Sequence, residues 1–318
     1  MARARITADG SSGLIETRKQ GRRRTDETRD VVAFKFLVGP VVFLLLITVY
    51  PLLFALWTSL RSYWLFAPDR AEFVGLNNYA ALFGSSLFGG SVIRTIIFAI
   101  GSLVLQLGLG YGLALLLHHD RRGFGVLRVL LVVPVLLTPA VVALMWFYMY
   151  DPNIGILQFL GSSLGLPVRP WLSDVNTAMP AVMVANVWEW TPFAFLVFVA
   201  GIKSVSPEIV EAAMIDGAGG WAIGWHILLP LLWPVVAVVA LLLTIDNLKS
   251  FDLIFVMTSG GPGISTYTLP IMIWNQGFGS YQMGTACAVA LVLLVIINLF
   301  VLALNAALRR TTAEGALG

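Results

Sequence analysis

The sequence predicts an all-α membrane protein with six transmembrane helices, and three observations lead to that fold class. Of the 318 residues, 58% are apolar and only 12% are charged, with a mean hydropathy of +0.86. Because a soluble domain usually carries about a quarter charged residues, this deficit indicates a chain that faces lipid. In addition, long apolar stretches recur along the chain, and basic residues concentrate in alternate connecting segments.

Six apolar stretches meet or approach the roughly 20 residues that a helix needs to cross the hydrocarbon core. The first five contain Pro or Gly, which transmembrane helices tolerate when neighbouring groups satisfy the backbone. The predicted spans cover residues 36–60, 91–117, 126–149, 181–201, 227–249 and 286–308.

The basic residues predict the orientation. Residues 1–35 hold nine Lys and Arg against five acids and directly precede an apolar run, so we interpret them as a disordered cytosolic tail and expect no nucleic-acid partner. With the N-terminus inside, this tail, the turn at 118–128, the loop at 202–226 and the C-terminus hold fifteen of the twenty Lys and Arg. We therefore expect a multi-pass domain at 36–310 and a C-terminal tail at 311–318, with both termini cytosolic.

The cytosolic loop at 202–226 is different, because it carries three acids against one Lys. Ser206 suits an N-cap, Pro207 suits the first helical position, and Gly217 suits a helix stop. The pattern predicts a short helix at 207–216, then a turn and a second short helix that enters the fifth span. A simple connector needs no such order, so we interpret the loop as a docking surface.

The most specific motif is EAAMIDGA at residues 211–218, followed after eight residues by ILLP at 227–230. It resembles the EAA loop of ABC-importer permeases, in the carbohydrate-uptake family that includes the maltose-type, binding-protein-dependent permeases. In that family the loop forms coupling helices that sit in a groove of the ATPase subunit; a generic amphipathic surface helix is the alternative. The resemblance places ATPase coupling on Glu211, Ala212, Ala213, Asp216 and Gly217.

The resemblance extends over nearly all of residues 36–310 and implies the type I permease fold of ABC importers. One departure is Gly224, where the family usually has an aromatic residue, and we expect it to loosen the packing of the second coupling helix. The further matching segments are GLNNY at 75–79, WTPF at 190–193 leading to AG at 200–201, FDLIFVMT at 251–258 and GGP at 260–262.

Polar side chains inside a bilayer are functional candidates, since a central charge costs about 2.5–3.5 kcal/mol. One cluster lies in the fourth span and a second ends the fifth span. Carboxylates and amides bind sugar hydroxyls, and aromatic rings cover C–H faces; in maltose-type permeases the sugar sits against these same two helices. An ion pair of Glu189 or Asp246 with Lys249 that joins two helices is the alternative. The predicted substrate-binding residues are Glu189, Trp190, Phe193, Asp246, Asn247 and Ser250.

Several weaker features indicate structure rather than chemistry. The segment GLGYG at 108–112 is typical of helix packing, and HHD at 118–120 is interpreted as a solvated turn rather than a metal site. Cys287 is the single cysteine, so no intrachain disulfide forms. The chain has no Walker A pattern. We expect no catalytic residue, metal or cofactor in this chain, and the resemblance places ATP and Mg in a partner ATPase.

The resemblance implies a permease subunit, not an enzyme, in a bacterial-type plasma (inner) membrane. It would take up a sugar, oligosaccharide or polyol, pair with a homologous sister permease as a heterodimer, and work with a homodimeric ABC ATPase and an extracytoplasmic sugar-binding protein. Glycerol-phosphate uptake is an alternative within the class, for which Lys249 is the only cationic support. A proton-coupled secondary transporter using Glu189 and Asp246 is an alternative of another class. An intramembrane enzyme has no Ser/His, HExxH or GxGD-type pair to support it.

Overall fold

The computed structural model describes residues 38–118, 123–165, 167 and 169–314. The predicted tail at 1–35 and most of the HHD turn, His119 and Asp120, lie outside these residues. The chain divides into a unit of residues 1–57 and a unit of residues 58–318. In the first unit the described residues, 38–57, are helical and expose almost every side chain.

Helices account for most of the described residues, which confirms the predicted helical class, and two isolated β-bridges are the only extended pairings among them. Short 3-10 or π-helical turns join some of the helices. In chain order the helices are α1 (Val38–Ser59), α2 (Asn77–Phe83), α3 (Ser86–Leu117), α4 (Phe124–Val132), α5 (Pro139–Met149), α6 (Ile156–Ser163), α7 (Ala178–Ser204), α8 (Pro207–Ile215), α9 (Gly220–Ala222), α10 (Leu229–Leu231), α11 (Trp233–Lys249), α12 (Asp252–Thr258), α13 (Leu269–Trp274) and α14 (Met283–Glu314).

Within the described residues, α1, α3, α7 and α14 are each long and apolar enough to cross a membrane. If each of two bent helix pairs counts as one span, the described residues contain up to six candidate spans. The last helix continues to Glu314, past the predicted end at 308 and into the predicted C-terminal tail.

The predicted spans at 126–149 and 227–249 are not continuous helices. In the first, the helix axis bends by 103° between the segment that ends at Leu136 and the segment that begins at Pro139. Thr138 is extended because it precedes Pro139, which disfavours helical backbone at the preceding residue. In the second, the helix bends by 74° near Leu232, because Pro234 has no N–H to donate to the preceding turn.

The packing of α3 against α7 depends on one glycine of the GLGYG segment. A Cβ added at Gly110 would lie 2.6 Å from the Ala194 Cβ and 3.1 Å from the Phe195 nitrogen. Gly108 and Gly112 have nothing within 4 Å of such a carbon. Gly110 therefore lets the two helices approach closely, which agrees with the packing interpretation of this segment.

The prediction that Gly224 loosens the second coupling helix is wrong. Gly224 is buried in the π-helical turn Ile223–Leu228, between α9 and α10. The Tyr111 hydroxyl of α3 donates a hydrogen bond of 2.6 Å to the Gly224 carbonyl, and a Cβ at Gly224 would lie 2.9 Å from Leu115 Cδ1. The missing side chain thus makes room for α3 rather than leaving a gap.

Candidate functional site

A polar cavity of about 280 Å³ lies where the end of α11 meets the start of α12. The middle of α7 and the start of α5 form its other walls. Four of the six predicted substrate residues line it, whereas Phe193 and Asn247 do not. The lining consists of Pro139, Asn186, Glu189, Trp190, Asp246, Lys249, Ser250, Phe251, Asp252 and Leu253.

Glu189 is the most enclosed charge of this cavity. The α7 helix is buried over much of its length, and Glu189 lies on that buried side, with 2% of its surface exposed. Asp246 and Asp252 are the other acidic residues that line the same cavity. Within the part of the chain that the structure describes, no hydrogen bond or ion pair reaches the Glu189 carboxylate.

Asn247 belongs to a buried amide network instead of lining the cavity. Its Oδ1 accepts hydrogen bonds from Asn186 Nδ2 at 2.7 Å and from Gln106 Nε2 at 3.3 Å. Its Nδ2 donates to Gln106 Oε1 at 2.9 Å. The three residues are at most 1% exposed. The network therefore joins α3, α7 and α11 next to the cavity, because Asn186 belongs to both.

The predicted ion pair exists, but it does not join two helices. Lys249 Nζ lies 3.2 Å from Asp246 Oδ1, and both residues belong to the last turn of α11. The Lys249 side chain is 61% exposed, so the pair stabilises the fold only weakly. Of the two predicted aromatic residues on α7, only Trp190 lines the cavity. Both pack against the hydrophobic cluster around Tyr111 and Phe198, and their rings meet edge to face with centroids 6.3 Å apart.

The predicted short helix of the 202–226 loop is present as α8, and its end has a defined geometry. Gly217 has φ +84°, the left-handed conformation expected for a glycine after a helix. The amides of Gly217 and Ala218 donate to the carbonyls of Met214 and Ala213. Ser206 occupies the N-cap position, although its side chain makes no capping hydrogen bond.

The α8 helix presents one face outward and holds the other against the bundle. Ala213 is buried and packs with Ile202 and Ile223. Glu211, Ala212, Asp216 and Gly217 are exposed. We call residues 206–225 the elbow, since α8 and α9 meet there at the Gly217 turn.

Apolar side chains are also exposed on the elbow. Ile215 is 87% exposed and Trp221 is 75% exposed. A cavity of about 700 Å³ opens beside them, between the elbow and the ends of α3 and α7. Clustered exposed apolar groups of this kind mark surfaces that contact a partner or a membrane.

Residues 106–313 match the sequence profile of a family described as "Binding-protein-dependent transport system inner membrane component". This match covers more than half of the 318-residue chain. The chain belongs to this family. Both the amide network and the elbow lie inside the matched region, and the resemblance to ABC-importer permeases is confirmed.

Several relatives in this family have named roles. The trehalose/maltose transport system permease protein MalF of Thermococcus litoralis is 35% identical over 253 residues, which cover 79% of this chain and 85% of that protein. The sn-glycerol-3-phosphate transport system permease protein UgpA of Agrobacterium fabrum is 33% identical over 228 residues, covering 71% and 78%. A probable ABC transporter permease protein of Sinorhizobium fredii, y4oQ, is 33% identical over 287 residues, covering 90% and 91%.

Solved structures support the fold. A chain of a bacterial ABC transporter that imports the acidic polysaccharide alginate has a TM-score of 0.78 and 23% identity, and the match covers 91% of this chain and 99% of that chain. A second structure, of the bacterial alginate transporter with an alginate pentasaccharide-bound periplasmic protein, has a TM-score of 0.79 and 22% identity, covering 91% and 97%. At this identity the likeness concerns the fold alone.

Sequence reasoning missed several residues that this permease brings together. Gln106 and Asn186 are amides within apolar spans, and the rule that selected Glu189 would also have found them. Asp252 and Phe251 line the cavity from the start of α12, whereas the sequence indicates them only as part of the matching segment FDLIFVMT. Pro139 had no such signal, because its place in the lining depends on the bend between α4 and α5.

Proposed function

We propose that this chain is the membrane permease subunit of an ABC importer that takes up a sugar, oligosaccharide or polyol. The observation that carries the proposal is the polar cavity at the junction of α11 and α12, where carboxylates and the aromatic residues Trp190 and Phe251 face the same space. Carboxylates hydrogen-bond hydroxyl groups, and aromatic rings pack on C–H surfaces. The trehalose/maltose permease among the relatives supports the same class of cargo.

The elbow is the proposed contact with an ATPase. Glu211, Ala212, Asp216 and Gly217 offer an exposed charged and small-residue surface, and the neighbouring Ile215 adds apolar area. Ala213 holds the elbow to the bundle through its buried contacts. A pull on α8 by closing ATPase subunits would thereby reach the helices that line the cavity.

The proposed assembly has four chains: this permease, a homologous sister permease and a homodimeric ABC ATPase, which binds ATP and Mg. An extracytoplasmic sugar-binding protein delivers the cargo, and both termini of the permease lie in the cytosol. The cavity would open outward to accept the cargo from the binding protein and inward to release it.

Glycerol-phosphate uptake is the second candidate, and the UgpA relative favours it. The cavity opposes it, because an anionic cargo would meet Glu189, Asp246 and Asp252 with Lys249 as the only cation in the lining. The proton-coupled carrier is disfavoured, since the family match is to binding-protein-dependent transport.

The test is uptake by the four-chain complex reconstituted in vesicles, with the binding protein supplied on the side that the extracytoplasmic surface of the permease faces. We expect sugar-dependent ATP hydrolysis and uptake with wild type, and loss of uptake with Glu189→Ala despite normal assembly. The matched control is Asp69→Asn, an exposed carboxylate outside the cavity. Uptake of glycerol phosphate but not of any sugar or polyol would replace the proposal with the second candidate.

A further inference from the structure

The charges around the cavity at the junction of α11 and α12 do not balance. Three carboxylates line it: Glu189, Asp246 and Asp252. Lys249 is the only cation in the lining, and it already pairs with Asp246 at 3.2 Å. Glu189 and Asp252 therefore have no cationic partner among the lining residues; of the two, Asp252 is exposed to solvent and Glu189 is enclosed.

Glu189 supplies a second, independent observation. Its side chain is almost completely buried, faces the cavity, and makes no hydrogen bond or ion pair with any described residue. Burying a carboxylate without a partner is costly, and buried charges in proteins are normally paired. The position is explained if the missing partner arrives with the cargo.

The aromatic residues indicate which kind of cation fits. Trp190 and Phe251 line the same cavity as the carboxylates. Phe251 is held by stacking on Phe255, with ring centroids 5.0 Å apart. An ammonium group beside an aromatic face gains a cation–π attraction, especially where water is excluded.

A metal ion is a poorer fit. No three His, Cys, Asp or Glu side chains lie close enough to hold a metal, as far as the described residues show. The volume of about 280 Å³ is near the lower end of small-molecule pockets, which begin at about 300 Å³. Such a space suits one sugar ring or the end of a longer chain.

We propose that this cavity selects a sugar or polyol that carries a protonated amine, with Glu189 as the counter-ion of the ammonium group. Asp252 adds to the negative potential, and Trp190 and Phe251 flank the charged group. This inference rests on the proposed function and narrows its cargo to amino sugars and related amino polyols.

Charge-selective labelling of an introduced cysteine tests the potential without knowledge of the natural cargo. In the assembled transporter, Cys287→Ala removes the native thiol and Ser250→Cys places one in the cavity lining. Methanethiosulfonate reagents that carry trimethylammonium or sulfonate are compared, each rate being normalised to that of a small thiol in solution. We expect a preference for the cationic reagent on the order of tenfold.

The Glu189→Gln, Asp252→Asn double variant should lower this preference several-fold, whereas Asp69→Asn, outside the cavity, should leave it unchanged. Equal normalised rates, or faster reaction with sulfonate, would overturn the inference. The second measurement is protection: glucosamine should slow labelling several-fold more than glucose at the same concentration. Equal protection by the two sugars, including no protection by either, overturns the amine assignment. Failure of the broader sugar proposal would show separately, as absence of sugar-dependent uptake and ATP hydrolysis.

Discussion

Asn247 contributes both ends of its side-chain amide to contacts with Gln106 and Asn186. The sequence predicts Asn247 as a substrate-binding residue, because an amide in an apolar span is costly without a partner. It did not predict which groups satisfy the amide, since the partners lie 141 and 61 residues away along the chain. Its role toward the substrate stays a prediction, and the network gives it a structural role as well.

Asn247→Ala should lower the thermal stability of the assembled complex as well as uptake. The substitution leaves the buried amides of Gln106 and Asn186 without their main partner, at a cost of about 1–3 kcal/mol for each. The measurement is the Tm of the purified complex in detergent. Thr244→Val serves as the control, because it removes a buried hydroxyl of the same helix that bonds only to the Ala240 carbonyl.

A triple replacement of Gln106, Asn186 and Asn247 by Leu gives the complementary result. It removes every amide of the network together, and apolar replacement of all partners is far less costly than loss of one. We expect a Tm closer to wild type than that of Asn247→Ala. A Tm for Asn247→Ala equal to wild type would contradict the structural role.

At the scale of helices, the sequence predicts where the apolar segments lie but not the change of helix direction within two of them. The spans at α3 and α7 are predicted nearly as they stand, since a long apolar stretch is sufficient to define them. The sequence predicts each bent pair as a single helix, because transmembrane helices tolerate proline. Whether a proline bends or breaks a helix depends on the neighbours that satisfy the exposed backbone groups, and these are not readable from one segment.

Gly110→Ala should destabilise the bundle by about 1–3 kcal/mol, because the added Cβ overlaps Ala194 and forces α3 away from α7. Gly108→Ala and Gly112→Ala are matched controls in the same segment, since open space surrounds both positions. Thermal unfolding of the three variants compares them directly. Similar Tm values for all three would show that α3 and α7 are not in close contact.

Gly217→Val should uncouple ATP hydrolysis from uptake while leaving expression near normal. The positive φ makes a side chain costly by about 1 kcal/mol, although nothing lies within 4 Å of the added Cβ. The strain therefore acts on the backbone of the elbow, not through a clash within the bundle. Hydrolysis and transport are measured side by side in reconstituted vesicles.

Gly219→Ala is the matched control for the elbow. Gly219 also has open space around it, but its φ of −72° is accessible to any residue. We expect normal coupling in this variant. Wild-type coupling in Gly217→Val as well would show that the turn is under no backbone constraint.

For the whole molecule, the purified chain alone should neither hydrolyse ATP nor transport. Its 318 residues contain no Walker A pattern, and its cavity is bounded by the four helices α5, α7, α11 and α12. Co-expression with the sister permease and the ATPase should yield a stable four-chain complex, checked by size-exclusion chromatography and ATPase assay. Transport by this chain without partners would contradict the proposed division of labour.

The bend near Leu232 divides one continuous chain segment into two arms. On one side of it lies the elbow, and on the other α11 runs for 17 residues and ends at Lys249, beside the cavity. At 1.5 Å per residue this arm is about 25 Å long, so a tilt of about 5° at the bend moves its far end by about 2 Å. A displacement of that size is comparable to a hydrogen-bond length. If the elbow is the proposed ATPase contact, a modest rotation there would be sufficient to make or break the proposed contacts between the cavity and its cargo.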